Sequence, residues 1–166
     1  MNYLHHLADK IILSLIGRSL VVLSSLDSRI KKELSYLPEE FILALAVDRN
    51  SPALIIKKNN KEITYFGSRK NFENIDLKIY FKNEEFAYQV LAAKEGIRLA
   101  FSEGKILLEG ELEFAVSFIY ILEIIEAYLS REQASNDLLG YNLKKEISWI
   151  SLIFKAFLTK KEKGEI

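Results

Sequence analysis

The chain has 166 residues, with 23 basic and 23 acidic side chains and a formal net charge of zero. This balance leaves no excess of positive charge for a phosphate backbone, so we expect no nucleic-acid partner. Cysteine is absent, which excludes disulfides, thiol catalysis and thiolate-bound metals.

The first predicted element is helical and covers residues 2–35. Apolar side chains recur there at helical spacing, and Gly17 or the Ser24-Ser25 pair is expected to divide the segment into two helices. The apolar run at 11–26 is interrupted by an arginine and is shorter than the roughly 20 residues that a membrane span requires. We therefore predict a buried or docking helix in a cytoplasmic protein, with export or membrane anchoring as the alternative.

Five strands are predicted next, from short runs that are apolar or that alternate between apolar and polar residues. They cover residues 41–47, 53–58, 62–67, 76–82 and 105–109. Turn clusters join the first three strands into a meander. Helical segments separate the later strands, so the pattern predicts an α+β fold with a five-stranded mixed sheet covered by helices on one face.

Three further helices are predicted. Asn83 is the expected N-cap of a helix over 84–94, and Gly110 leads into a long helix over 112–129. Asn142 is the expected N-cap of a C-terminal amphipathic helix that ends at Leu158.

These elements divide the chain into three predicted units. Residues 1–36 form an N-terminal helical extension that ends before Pro38, because proline does not continue a helix. Residues 37–131 form the α+β domain. Residues 132–166 comprise a polar linker and the C-terminal amphipathic helix. The extra helices at the two ends thus flank the sheet-containing domain.

The long helix over 112–129 is unusually apolar. Its polar positions are few, and they are Glu113, Ser117, Glu123 and Glu126. A helix that lies on one side of a sheet needs an apolar stripe only about 100° wide. This helix is apolar over a wider arc, so something besides the sheet is expected to cover it.

Constellations for catalysis or metal binding are missing from the sequence. The two histidines, His5 and His6, are adjacent and near a terminus, and no HExxH, GxSxG or glycine-rich phosphate motif is present. We interpret Glu109, Glu111 and Glu113 as charge at a helix start and as solvated surface. We expect no catalytic residue, no metal and no cofactor.

Several residues resemble the sterol-carrier-protein type 2 family, over roughly residues 40–130. Its C-terminal signature is matched by Ala100, Phe101, Gly104, Lys105, Ile106, Leu108, Gly110 and Ala115, and its aspartate-bearing strand and following helix by Asp76, Leu77, Ile79 and Phe86. The chain departs from the family at Glu111, where aspartate or asparagine is frequent. The resemblance is to a stand-alone bacterial or archaeal form, and it implies an apolar tunnel between sheet and helices and noncovalent lipid binding without catalysis.

The resulting hypothesis is a carrier of a hydrophobic ligand, namely a fatty acyl, sterol-like or isoprenoid lipid. The predicted ligand-binding residues are Phe86, Val90, Leu99, Phe101, Leu112, Val116, Ile119 and Tyr120. The C-terminal helix, with Ile150, Ile153 and Phe154, is predicted to act as a lid or to touch a membrane surface during loading. The alternative is an interaction or scaffold module, whose groove is filled by its own terminal helices, by a second copy or by another protein.

Overall fold

The computed structural model describes residues 3–60, 62–70, 73–130 and 143–162, with side chains from residue 10 onward. The helices are α1 Tyr3–Leu26, α2 Ser28–Tyr36, α3 Glu84–Leu91, α4 Ile97–Ser102, α5 Leu112–Leu129 and α6 Trp149–Leu158. The strands are β1 Ile42–Ala46, β2 Ala53–Asn59, β3 Glu62–Arg69, β4 Leu77–Phe81 and β5 Ile106–Glu109.

The five strands form one mixed sheet in the order β3-β2-β1-β4-β5. Strands β1 and β4 are parallel, with Leu45 opposite Ile79, and the other neighbours are antiparallel. The parallel pair β1 and β4 lies inside the sheet, between β2 and β5. Along the chain, α2 precedes β1 and α3 follows β4. The predicted α+β class, the mixed five-stranded sheet and the additional terminal helices are confirmed.

The two faces of the sheet carry different side chains. One face presents large aliphatic and aromatic residues that belong to the main core with the helices, among them Leu43, Leu45, Leu54, Ile79 and Phe81. The other face presents a smaller cluster that consists of Ile42, Ala44, Ala46, Ala53, Ile55, Phe66 and Tyr80. Within the described residues no helical side chain belongs to the second cluster, so the helices cover one face, as predicted.

The break between the first two helices lies later than predicted. Gly17 is inside α1, where an added Cβ would lie 2.6 Å from Leu54, so glycine here permits close packing of α1 on the sheet. The break follows Leu26, and Asp27 caps α2. No single helix in the described ranges is long and apolar enough to cross a membrane; the segment Lys10–Leu26 and α2 reach that length together but with a 99° bend between them.

The region around α3 and α4 also differs from the prediction. Asn83 caps α3 as predicted, by accepting from the amide of Phe86 at 3.0 Å, but α3 ends at Leu91 and not at residue 94. Ala93 has a φ of 54°, which is incompatible with continuing the helix. The short helix α4 was not predicted, because Ile97, Leu99 and Phe101 are two residues apart, which is the spacing of a strand.

The C-terminal helix begins later than predicted. Asn142 and the predicted linker at 131–142 lie outside the described residues. Within the described residues, α6 starts at Trp149, and the hydroxyl of Ser148 caps it by accepting from the amide of Ser151 at 3.2 Å. Beyond α6 the chain returns to the sheet, where the amide of Glu162 donates to the carbonyl of Tyr65 at 2.8 Å on the edge strand β3.

Candidate functional site

An apolar cavity lies between the sheet and the helices on its covered face. Its volume is about 280 Å³, close to the lower end of the roughly 300–1,000 Å³ found for small-molecule sites. Its walls come from α1, β1, β4, α3 with the turn after it, the start of α4, and α5. The lining residues are Ile12, Leu15, Ile16, Leu45, Phe81, Val90, Leu91, Ala92, Ala93, Ile97, Leu122, Ile125, Glu126, Leu129 and Ser130.

Burial distinguishes the inside of the cavity from its rim. The inner residues are buried, and they are Leu45, Phe81, Val90, Ile97, Leu122 and Ile125. The rim residues are half-buried, and they are Ile12, Leu15, Ile16, Leu91 and Leu129. The rim therefore runs along one flank of α1 and the C-terminal ends of α3 and α5. An apolar molecule entering there would pass between two aliphatic surfaces.

Glu126 is the one acidic residue in the lining of this cavity. Its Oε2 accepts a hydrogen bond from the backbone amide of Ile97 at 3.2 Å. Gly96, the N-cap residue of α4, has no side chain to satisfy that helix start, so the carboxyl group of Glu126 takes the place of a cap. Its Oε1 is buried and has no hydrogen-bond partner among the described residues. A buried oxygen without a partner is unfavourable, because it has lost its water contacts.

The surroundings of Glu126 favour its neutral form. Burial raises the pKa of Glu126 to about 7, the amide of Ile97 opposes the rise, and the charge of Glu123 one turn earlier adds to it. Burial also raises the pKa of Glu123, while the guanidinium of Arg98, 3.2 Å from that carboxylate, opposes the shift. Near neutral pH a substantial fraction of Glu126 therefore carries a proton.

The eight residues predicted to bind the ligand lie in four different environments. Val90 lines the cavity. Ile119 belongs to the core, and Phe86, Phe101 and Tyr120 are half-buried. Leu99, Leu112 and Val116 are exposed, with 53%, 61% and 54% of their surface accessible. The structure thus brings Val90 to the cavity and leaves the last three on the outer side of α4 and α5. A ligand-binding role stays a prediction for all eight.

The residues predicted to form a lid lie on α6. Ile150 and Phe154 are 72% and 66% exposed, and Ile153 is half-buried. The inward side of α6 instead consists of Leu152 and Ala156, which are fully buried. None of the three predicted lid residues is among the residues that line the cavity. Their role as a lid or as a membrane contact stays a prediction.

Sequence reasoning did not identify two components of the cavity. The first is the contribution of α1, through Ile12, Leu15 and Ile16, since residues 1–36 were assigned to an extension outside the α+β domain. The second is Glu126. A signal for it was present, because a carboxyl group in an otherwise apolar helix is either exposed or set in a specific environment.

A second, larger groove of about 500 Å³ lies near the end of β2. Its lining includes Lys31, Glu39, Lys58 and several serines, so it is more polar than the cavity. The Lys58 amine is already satisfied by the carbonyls of Leu37 and Pro38 and by Glu39. In the described part of the chain no group of three or more histidine, aspartate or glutamate side chains is arranged to hold a metal ion.

No protein-family model and no curated protein sequence matches the chain. Among solved structures, a "UbiJ-SCP2 Ubiquinone synthesis protein" is 12% identical, with 62% of this chain and 88% of that chain covered and a TM-score of 0.42. Sterol Carrier Protein 2 Like 2 from Aedes aegypti is 14% identical, with coverages of 60% and 98% and a TM-score of 0.35. Sterol Carrier Protein 2 from Yarrowia lipolytica, in the apo form, is 15% identical, with coverages of 66% and 86% and a TM-score of 0.39.

These three proteins carry the name of the family that the sequence motifs resemble. Because their TM-scores all lie below 0.5, we infer nothing from them about the ligand or the activity of this chain. The functional inference therefore rests on the cavity and on the side chains that line it.

Proposed function

We propose that this chain is a non-catalytic binding protein for the hydrocarbon part of a lipid, which it holds noncovalently between α1, α3, α5 and the sheet. The fatty acyl, isoprenoid and sterol-like classes all supply such a hydrocarbon part. The observation that carries the proposal is the cavity of about 280 Å³, whose lining is aliphatic or aromatic except at Glu126 and Ser130.

The physical basis is removal of apolar surface from water. Each buried methylene group contributes roughly 0.8 kcal/mol, so a chain of about ten methylenes gains on the order of 8 kcal/mol before the costs of association. Because Leu45, Phe81, Val90 and Ile125 already form a wall in the unliganded fold, little ordering cost is expected at the inner end. The half-buried rim residues provide an entrance that does not require the sheet to open.

The experiment is native mass spectrometry of the purified chain after exposure to a lipid extract. We expect bound lipid in the wild-type chain and at least a tenfold loss in Val90→Phe, because the larger side chain occupies the cavity. Leu107→Phe is the control, since Leu107 pairs with Tyr80 on the sheet face opposite the cavity, and its binding is expected to equal that of the wild type. Absence of bound lipid from the folded wild-type chain would overturn the proposal.

A second candidate function is that of an interaction module, and the outer face of α6 favours it. Four apolar side chains on that face, Ile150, Phe154, Phe157 and Leu158, are between 65% and 72% exposed. A contiguous apolar surface of this kind is typical of a contact site. Here the occupant we consider is a second copy of the chain.

Sedimentation of the full chain and of a Phe157→Ser/Leu158→Ser double variant tests this second candidate. We expect a concentration-dependent dimer that the double variant converts to a monomer without loss of lipid binding. A wild-type chain that remains monomeric at all concentrations would rule out self-association through α6. Because lipid binding and association are read separately, each candidate can fail independently of the other.

A further inference from the structure

One oxygen of the Glu126 carboxyl group accepts a hydrogen bond within the fold, and the other has no partner among the described residues. Oε2 accepts from the amide of Ile97, so the proton of the neutral acid belongs on Oε1. Oε1 is buried without a partner in the described residues. Glu126 also lines the cavity, where the other lining residues are aliphatic or aromatic except for Ser130. A neutral Glu126 thus has an O–H donor beside the cavity that no described residue satisfies.

We propose that Glu126 anchors the polar end of the bound lipid, and that this end is a neutral hydrogen-bond acceptor such as a ketone, an ester or a quinone carbonyl. The inference rests on the proposed function and specifies its ligand class. A carbonyl oxygen that accepts from Oε1 would satisfy the buried donor, whereas a plain hydrocarbon would leave it without a partner. A lipid amine or a lipid carboxylate would bring a charge into the apolar lining, which is costly.

Other charged groups near Glu126 come from two elements. Glu123 lies one turn earlier on α5, and Arg98 on α4 forms an ion pair with it. The remaining walls, from α1, β1, β4 and α3, contribute aliphatic and aromatic side chains to the cavity. Titration of Glu126 near neutral pH should therefore dominate any pH dependence of headgroup selection, with Glu123 and Arg98 modifying it.

The simpler reading of Glu126 is purely structural, as the substitute cap of α4. The two readings differ in what Glu126→Gln does. An amide oxygen can still accept from Ile97, and the amide nitrogen can still donate into the cavity, so glutamine reproduces the neutral acid at every pH. Leucine at the same position removes both the acceptor and the donor.

The test is displacement of the neutral fluorophore N-phenyl-1-naphthylamine by 2-decanone and by decane, at pH 6 and pH 8.5. For the wild-type chain we expect the ketone-to-alkane affinity ratio to be about tenfold higher at pH 6 than at pH 8.5, because ionisation removes the donor. Glu126→Gln should keep the high ratio at both pH values. Glu126→Leu should show the low ratio at both, and Glu113→Gln, on the exposed start of α5, should behave as the wild type.

Two outcomes would overturn the inference, and they are distinguishable. If neither 2-decanone nor decane displaces the fluorophore from the folded wild-type chain, the proposed function fails together with the inference. If both displace it but the ratio has the same pH dependence in Glu126→Gln as in the wild type, the Glu126 inference alone is wrong. The glutamine variant preserves the hydrogen bond to Ile97, so this second outcome does not depend on the leucine variant remaining folded.

Discussion

Asp27 and Glu126 are both buried carboxyl groups near the end of a helix, and their surroundings are opposite. Asp27, at the junction of α1 and α2, is fully buried and accepts hydrogen bonds from Arg29, from the amide of Ile30 and from the hydroxyl of Tyr128. Among the described residues, Glu126, near the end of α5, accepts from the amide of Ile97 alone, and its second oxygen is buried without a partner beside the apolar cavity. One acid is enclosed by donors from its own chain, and the other is not.

The difference appears in the protonation of the two groups. Burial would raise the pKa of Asp27, but the hydrogen bonds from Arg29 and Tyr128 outweigh it and hold that pKa below its usual value. Burial raises the pKa of Glu126 to about 7, with a single opposing hydrogen bond. A carboxyl group that stabilises the fold is ionised and saturated, whereas one that retains an unused oxygen beside a cavity is available to a ligand.

Among substitutions that change the difference between Asp27 and Glu126, we expect one at Asp27 to have the largest effect on stability. We expect Asp27→Ala to lower the free energy of unfolding by roughly 3–5 kcal/mol, because it removes the cap of α2 and leaves Arg29 and the hydroxyl of Tyr128 without their buried partner. Urea denaturation at pH 7 measures the loss. The exposed acid Glu113 provides the control, since Glu113→Ala should change stability little. Equal effects of the two substitutions would show that the Asp27 network is not stabilising.

How much of the fold could be predicted from the sequence depends on how far apart along the chain the interacting residues lie. The strands and α5 were predicted because the periodicity of their own residues specifies them, and the five-stranded sheet is confirmed. The helix α4 was missed because six residues offer less than two turns of periodicity and Gly96 supplies no capping side chain. The predicted break at Ser24-Ser25 lies within one turn of the break after Leu26, whereas the alternative at Gly17 lies inside α1. The capping side chain of Asp27 was the signal that would have placed the break.

The sequence indicated that α5 has an apolar cover besides the sheet, but it did not indicate where the cavity lies. The excess of apolar surface on α5 indicated a second cover beyond the sheet, and α2, α4 and α1 supply much of it. Which side of α5 faces the cavity depends on where α1 crosses the sheet, and that crossing depends on the close approach of Gly17 to Leu54. Such long-range packing is not encoded in local periodicity, so the sequence alone does not show that Val116 is exposed or that Glu126 lines the cavity.

The second prediction concerns the pH dependence of stability at Glu126. Its pKa is raised from the usual 4.5 to about 7 in the folded chain, so the folded state keeps a proton that the unfolded state releases. Stability is therefore highest below pH 4.5 with respect to this group and falls as pH rises to about 7, by roughly 3 kcal/mol. Glu126→Gln should abolish this fall while matching the wild type at acidic pH.

Urea denaturation of both chains between pH 4.5 and pH 8.5 measures this difference. Subtracting one curve from the other gives the contribution of Glu126 together with its coupling to Glu123, whose pKa is also raised by burial. Glu113→Gln serves again as the exposed control on the same helix. Parallel curves for the wild type and Glu126→Gln would mean that Glu126 is ionised in the folded chain, like Asp27.

We expect the smallest effect on stability at Tyr128. Removing its hydroxyl takes one donor away from Asp27 and tests how much Asp27 depends on it. The Tyr128 hydroxyl donates to Asp27 at 2.9 Å and accepts from the amide of Glu146 at 2.6 Å. We expect Tyr128→Phe to cost roughly 1–2 kcal/mol at pH 7, because the amide of Glu146 loses its acceptor and Asp27 loses one donor, while Arg29 continues to hold Asp27. Tyr120→Phe, a half-buried tyrosine on the same helix, is the control.

Acid denaturation gives Tyr128→Phe a second readout. The ionised Asp27 contributes stability that is present above its unfolded pKa of about 3.8 and is lost as pH falls through the lower folded value. Removing the Tyr128 hydroxyl removes one of the causes that lower this pKa, so Asp27 should protonate at a higher pH and the variant should unfold earlier on acidification. An acid midpoint that does not move, beside an unchanged stability at pH 7, would show that Arg29 and the helix start alone saturate Asp27. Tyr128 would then stabilise the fold through its ring alone, and the contrast with Glu126 would rest on Arg29.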